Sequence, residues 1–155
     1  MNRRPTLILL FIFLLLLDQI SKMYILKIIT PGDMTQLIGN IYITNIRNIN
    51  TEFSSNQIRI IMQIIIPIII MFFLGRTLIT NESYTKVQKV AMWILASGGF
   101  GNLIDRVVRS GGVVDFIYIK NIYFLPVFNI ADLSVAIGSI IMILSLILSR
   151  QESKK

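Results

Sequence analysis

Apolar residues run along this chain in four long blocks, at 6–28, 58–74, 90–108 and 130–148. A membrane helix needs about 17–25 mostly apolar residues, and each block meets that length. The intervals read differently. Thr30-Pro31-Gly32-Asp33 is a helix breaker. Partial alternation follows over 37–49, with Ile41 and Ile43 set against Tyr42 and Thr44, which predicts one or two short strands outside the bilayer core. Residues 47–56 are polar and predict an irregular or briefly helical stretch. Pro67 lies inside the second block and predicts a kink. Residues 75–89 read as a polar connection holding Arg76, Glu82, Lys86 and Lys89. Gly111-Gly112 ends the third block, and 113–119 and 122–128 read as two strands around Lys120-Asn121, with Pro126 confining the second to an edge. The pattern predicts an all-α membrane protein: one domain, 1–155, of four transmembrane helices carrying a small β element outside the bilayer.

Composition sharpens this. The chain is 54% hydrophobic and 15% charged, where a soluble domain carries roughly 25% charged residues. A net charge of +7 could suit nucleic acid, but the Lys and Arg residues sit at the ends of apolar runs with no aromatic-interleaved basic stripe, so no nucleic-acid partner is expected. With no Cys and no His, disulfides, thiolate nucleophiles, Ser-His-Asp triads and His- or Cys-based zinc sites are excluded. Arg3-Arg4 ahead of the first block resembles a signal peptide, yet no small-residue cleavage site follows, so the block reads as a retained span. Four spans put both termini on one side. Lys and Arg number eight in the termini and middle connection and seven elsewhere, so the charge bias is slight. Arg3-Arg4 and the basic tail favour cytoplasmic termini, with 29–57 and 109–129 facing outward.

On that topology the polar groups converge at the outer end of the bundle. Asp18 and Lys22, four apart, share a face of the first block. Asn102, Asp105 and Arg106 share a face of the third. Asp132 opens the fourth, after Asn129, and Asp115 sits in the apolar run 113–119. Ionisable residues inside a membrane are functional-site candidates. Two acids brought close share a proton, so that one can activate water while the other protonates a carbonyl oxygen. Each residue has a plainer alternative. Asn129-x-x-Asp132 has capping-box spacing. Asp18 and Lys22 can be an internal ion pair, and Asp105 and Arg106 an interfacial helix anchor. Ser97, Gly98 and Gly101 offer a small face for close helix packing. Asp115 has the weakest structural alternative, because an apolar strand at the centre of a sheet gains nothing from an acid.

The motifs together resemble the lipoprotein signal peptidases (signal peptidase II), membrane aspartic peptidases of bacteria. The family's D-Q-x-x-K appears as Asp18-Gln19-Ile20-Ser21-Lys22 and its G-N-x-x-D-R as Gly101-Asn102-Leu103-Ile104-Asp105-Arg106. Its V-V-D-F appears as Val113-Val114-Asp115-Phe116 and its F-N-x-A-D as Phe128-Asn129-Ile130-Ala131-Asp132. The resemblance implies Asp115 and Asp132 as the catalytic pair. Asn102, Arg106, Asn129, Asn48, Asp105, Asp18 and Lys22 would be its supporting residues, with no metal or organic cofactor. It further implies a diacylglyceryl-modified prolipoprotein substrate, cut just before the lipidated Cys at the outer face of the bacterial cytoplasmic (inner) membrane. A small extracytoplasmic β cradle, contact with membrane lipid, function as a monomer and inhibition by globomycin belong to the same expectation. One stretch departs: the family's N-x-G-A-A-F stands here as Asn48-Ile49-Asn50-Thr51-Glu52-Phe53. Glycine adopts backbone shapes that Asn and Thr find costly, so this loop and its fit to substrate or globomycin differ.

Three other arrangements remain open on the residues alone. A Ser-Lys peptidase would need Ser134 or Ser97 to reach Lys22. A proton- or ion-coupled carrier would use the acids as a relay, though no inverted repeat is evident. A non-catalytic assembly subunit would use the glycine-rich face to dock a partner helix.

Overall fold

The computed structural model describes residues 4–48, 56–80, 84–109 and 112–152. Among them, the order is α1 (Arg4–Ile28), β1 (Met34–Ile38), β2 (Ile41–Asn48), α2 (Asn56–Ile60), a π-helical turn (Ile61–Ile65), α3 (Ile66–Thr80), α4 (Lys86–Val108), β3 (Val113–Ile119) and α5 (Ile130–Glu152). Three stretches are long and apolar enough to cross a membrane: Pro5–Ile28, Ile61–Leu78 and Ile130–Ser149. Their exposed side chains include Leu9, Phe13, Phe72, Ile140 and Leu144, the surface of helices built for lipid.

The third block departs from the expectation of four apolar spans. α4 has 23 residues, roughly 34 Å at helical rise, but it carries Lys86, Gln88, Lys89, Asn102, Asp105 and Arg106, which dilute its hydropathy. Its position accounts for the buried ones. α4 packs against α1, α3 and α5, and it buries Gln88, Ser97, Asn102 and Asp105 among these neighbours. A helix surrounded by protein can hold polar groups that a lipid-facing one cannot.

Glycine makes that packing close. A Cβ added to Gly98 would lie 2.8 Å from Val135 Cγ2 and nearer still to the carbonyl oxygen of Ala131, both on α5. A Cβ on Gly138 of α5 would lie 2.9 Å from the Ala91 carbonyl oxygen of α4. Because a backbone oxygen cannot swing aside, Gly98→Ala is expected to destabilise the bundle by about 1–3 kcal/mol. Gly75→Ala, whose Cβ meets nothing within 4 Å, is expected to be neutral or stabilising; thermal melts in detergent compare the two.

The second block is irregular immediately before Pro67. Pro67 offers no N–H, and the turn immediately before it is wound as a π-helix, with Ile66 N–H bonded back to Ile61 O. The connection expected at 75–89 is shorter: α3 continues through Thr80, and α4 starts at Lys86 behind a capping box in which Thr85 and Gln88 each bond the other's backbone N–H.

The three strands form one antiparallel sheet in the order β1-β2-β3. Ile46 pairs with Asp115 and Asn48 with Val113, with an irregularity between Ile43 and Ile46. At that irregularity, buried Asn45 donates to Ile29 O (2.7 Å) and Thr44 to Asp33 O (2.7 Å), tying the sheet to the exit of α1. Two expectations fail here. Residues 122–128 do not form a strand: Ile122–Leu125 closes as a turn, Asn121 takes a positive φ of 70°, and only Phe128 bridges to Ile117. Pro126 has no N–H for a ladder, which outweighs the β-favouring side chains around it. β3 is therefore not central; among the described residues it is an outer strand of the sheet, and Asp115 lies within it, opposite Ile46. The departing loop at 49–53 lies outside the described residues.

Candidate active site

Asp132 is fixed by the start of α5. Asn129 caps the helix: Asp132 N–H donates to Asn129 Oδ1 (2.8 Å), and Asn129 N–H donates to Asp132 Oδ2 (3.2 Å). The capping box read from the spacing is thus formed, and it satisfies two helix-end donors. It occupies only one carboxylate oxygen. The other, Oδ1, accepts from Asn102 Nδ2 of α4 at 2.7 Å.

Asp115 reaches the same residue from the sheet. Asn129 Nδ2 donates to Asp115 Oδ1 at 2.7 Å and to Asn102 Oδ1 at 3.2 Å. One asparagine therefore touches both acids, by its side chain to Asp115 and by its backbone to Asp132. Both acids line a single cavity of about 620 Å³, together with Asn48, Asn102 and Arg106. Its remaining wall is apolar and includes Leu125, Pro126 and Val127 of the β3–α5 loop. Burial, followed by the charge of Asp132, pushes the Asp115 carboxyl up to about 6, against weaker opposition from its hydrogen bonds to Asn129 and Asn48. The half-buried Arg106 guanidinium feels the charges of both acids.

Beneath the cavity lies a fully buried ion cluster. Lys22 Nζ is 2.8 Å from Asp18 Oδ2, 2.9 Å from Asp105 Oδ2 and 3.2 Å from Asn102 Oδ1. An ammonium has three N–H donors, and all three have acceptors. Each of the two partner acids also takes a backbone N–H beside a cavity acid: Asp18 Oδ1 accepts from Ala131 N (2.9 Å), and Asp105 Oδ2 accepts from Val114 N (3.2 Å). Those are the residues immediately before Asp132 and Asp115. Lys22 therefore joins two carboxylates that each grip the backbone next to one of the pair. Gly101 makes room, since a Cβ there would lie 2.6 Å from Asp18 Oδ2.

The nine residues picked from the sequence thus fall into one neighbourhood. Asp115, Asp132, Asn48, Asn102 and Arg106 line the cavity, Asn129 joins the two acids, and Asp18, Lys22 and Asp105 lie behind them. Asp105 is not an interfacial anchor, because it has no exposed surface. Two further members were missed. Gln19 Nε2 reaches Asp18 Oδ2 (3.0 Å), Gly101 O (3.1 Å) and Asp105 Oδ1 (3.2 Å), and Arg109 pairs with Asp105. Gln19 could have been found inside the D-Q-x-x-K motif, and Arg109 by its i+4 spacing from Asp105. Among the described residues nothing assembles the Ser-Lys pair: Ser97 and Ser134 each donate to a carbonyl of their own helix, and Lys22 is committed to its three acceptors. Among the described residues, no three His, Cys, Asp or Glu side chains group as metal ligands.

The family profile described as signal peptidase (SPase) II matches residues 10–148. The chain belongs to the signal peptidase II family. The lipoprotein signal peptidase of Staphylococcus aureus (strain bovine RF122 / ET3-1) is 36% identical over 153 residues, covering 97% of this chain and 93% of that protein. That of Clostridium novyi (strain NT) is 32% identical, covering 90% and 96%. A solved bacterial membrane enzyme, determined at 2.3 Å by the in meso method, superposes with a TM-score of 0.84 at 36% identity, over 98% of this chain and 93% of that one. A second, at 1.9 Å, gives 0.83 at 36% identity, over 92% and 93%. As a signal peptidase II family member the chain is a peptidase of bacterial membranes.

Proposed function

We propose that this chain is an aspartic endopeptidase that removes the signal peptide from diacylglyceryl-modified prolipoproteins, cutting just before the lipidated Cys. The observation that carries this reading is the convergence of Asp115 and Asp132 on one cavity through Asn129. The Asp132 carboxylate, held by donors on both oxygens, takes a proton from a water molecule. The water oxygen attacks the scissile carbonyl while protonated Asp115 gives its proton to the carbonyl oxygen. The tetrahedral intermediate collapses as Asp132 passes its proton to the departing nitrogen. The C–N bond breaks, leaving a new carboxyl terminus on the signal peptide and a free amine on the lipidated Cys. Asp115 recovers its proton from the collapsing hydroxyl. Arg106, Asn48 and Asn102 orient substrate and acids, and no metal or organic cofactor takes part.

In this reading α4 crosses the membrane with the other three helices, both termini are cytoplasmic, and the cavity opens near the outer face. The sheet is then the extracytoplasmic cradle. One copy holds every group named, so a monomer suffices. Globomycin would compete for the cavity. The test is cleavage by the purified protein of a prolipoprotein peptide with and without its diacylglyceryl thioether. Cleavage of the lipidated form alone is expected; equal cleavage of both would overturn the substrate assignment.

The pH dependence has a definite sign. Asp115 must be protonated, and its carboxyl is raised to about 6. Above that value kcat/KM is expected to fall, approaching tenfold per pH unit as the pair loses its proton. Removing the neighbouring charge with Asp132→Asn is expected to lower the Asp115 titration toward the ordinary carboxylate range, read by carboxyl-carbon NMR. A kcat/KM profile flat from about pH 5 to about pH 8 would sink the assignment of proton donor.

A further inference from the structure

α4 and α5 run antiparallel: Asn102 bonds Asp132, Gly98 lies against Val135, and Gly138 lies against the Ala91 carbonyl. Continued at equal helical rise, that register brings the first turn of α4 level with Ser145 of α5. α5 then runs on to Glu152, past the point where α4 begins at Lys86. A groove of about 390 Å³ opens there, lined by Thr85 and Val87 on one side and by Ile141, Leu144, Ser145 and Leu148 on the other. Val87, Leu144 and Leu148 are exposed, and Ser149 closes the lining one turn beyond Ser145. Lys86 is ~24 Å along α4 from Asn102, so the groove is separate from the cavity of the two acids.

We infer that this groove binds an anionic phospholipid of the surrounding bilayer, with an acyl chain along α5 and the headgroup beside Lys86. Three observations carry the assignment. First, the groove lies on Ile130–Ser149, a stretch long and apolar enough to cross a membrane, so its open side faces hydrocarbon. Second, its wall is graded. From Ser149 through Ser145 to Ile141, toward the bilayer centre, hydroxyl gives way to hydrocarbon. That is the order of polarity in a phospholipid from glycerol to acyl chain. Thr85 adds a hydroxyl on the facing side; its Oγ1 accepts from Gln88 N–H at 3.2 Å, which leaves its own O–H able to donate to an ester oxygen. Third, the mouth is basic. Lys86 is exposed and stands between Thr85 and Val87 in the chain. In the segments 82–89 and 150–155, five Lys or Arg residues stand against two acids, Glu82 and Glu152. No acid occurs in 84–104 or 133–151, so the sign suits a phosphate above acyl chains.

The lipid would join two elements where side chains leave a gap. The close α4–α5 contact is made around Gly98 and Gly138, and the start of α4 is fixed by its own Thr85–Gln88 capping box. A chain in the groove buries Val87 against hydrocarbon and ties the first turn of α4 to the last turns of α5. A ligand that binds the folded state alone stabilises it. The volume falls within the ~300–1,000 Å³ of sites that take small ligands. None of this rests on the proposed peptidase activity; only the assignment to the inner leaflet rests on the proposed topology.

The test uses the full chain, purified in detergent and depleted of lipid. Native mass spectrometry follows the binding of dioleoyl phosphatidylglycerol and of dioleoyl phosphatidylcholine, which share their chains and differ in headgroup charge. A one-to-one phosphatidylglycerol adduct, about tenfold tighter than the phosphatidylcholine one, is expected. Lys86→Gln is expected to weaken it about fivefold, the effect of one basic side chain at a lipid surface. Ser145→Phe fills the groove and is expected to abolish the tight adduct. Phosphatidylglycerol is expected to raise the melting temperature of the parent and not that of Ser145→Phe. Equal affinity for the two lipids would overturn the inference, as would a phosphatidylglycerol preference that survives both substitutions. A dimer peak lost in Ser145→Phe would assign the groove to a second copy, and displacement of the lipid by an equimolar lipidated prolipoprotein peptide would assign it to substrate; either overturns the inference. The parent's comparison of the two lipids and Lys86→Gln disturb no packed contact, so they decide even where Ser145→Phe does not fold.

Discussion

Asp115→Asn and Asp132→Asn are each expected to lower kcat/KM for a lipidated prolipoprotein by about ten-thousand-fold, close to 5.5 kcal/mol of transition-state stabilisation. The substitution keeps volume and shape and removes the capacity to hold or pass the shared proton. The surroundings keep most of their hydrogen bonds, except that at Asp132 an amide nitrogen in place of Oδ1 would lose the bond from Asn102 Nδ2. At Asp132 an amide oxygen can still accept from Asn129 N–H, as Oδ2 does now at 3.2 Å. At Asp115 an amide oxygen can still accept from Asn129 Nδ2, as Oδ1 does at 2.7 Å. Neither change strands a buried charge, so melting temperature in detergent is expected to hold for Asp115→Asn and to fall only slightly for Asp132→Asn, which loses one hydrogen bond, while turnover collapses in both. The double variant is expected to be about as inactive as either single one, because in the proposed mechanism the two acids act as one unit. Full activity in either single variant would end the two-acid mechanism.

Lys22→Met is expected to cost about 3–5 kcal/mol of stability and to depress activity with it. Its ammonium lies between Asp18 and Asp105, both buried, at 2.8 and 2.9 Å. Removing it leaves two carboxylates without their shared counter-charge, in a setting where one uncompensated ion already costs several kcal/mol. Those carboxylates hold Ala131 N–H and Val114 N–H, so their protonation or displacement loosens the backbone beside Asp132 and Asp115. Lys22→Arg is not a conservative repair, because a planar guanidinium cannot reproduce three diverging donors in the same volume. Combining Lys22→Met with Asp105→Asn is expected to recover part of the lost stability by removing one stranded charge. A thermodynamic cycle over the four proteins measures this coupling. A Lys22→Met protein as stable as the parent would show that the cluster does not hold the bundle together.

Much of this arrangement was legible because short spacings report local geometry. Asp18 and Lys22 pair as their i,i+4 separation requires, and Asn129 and Asp132 cap α5 as their i,i+3 separation requires. The glycines on α4 announced a close helix contact, although not which neighbour each admits. Long-range choices were not legible. Lys22 could not be joined to Asp105, 83 positions away, by any local rule, and neither could Asp18 to the Ala131 N–H. Side-chain type misled at 122–128, where β-favouring residues masked a turn and Pro126, read as an edge-strand residue, lies in no strand at all. At α4 the apolar run did not reveal that Gln88, Ser97, Asn102 and Asp105 would be buried against neighbouring helices. Asp115 was singled out as an acid in an apolar run, but its position on an outer strand became evident only when the ladder was traced.

The saturation of Lys22 has an electrical consequence. Each ammonium hydrogen is already directed at an acceptor, and an ammonium offers no lone pair to receive a hydron. Beyond it, the stretches 6–17, 90–101 and 133–149 of α1, α4 and α5 contain no titratable acid or base. In the proposed mechanism, a hydron circulating between the two acids therefore finds no relay of acids or bases along these stretches by which to short-circuit an energised bilayer.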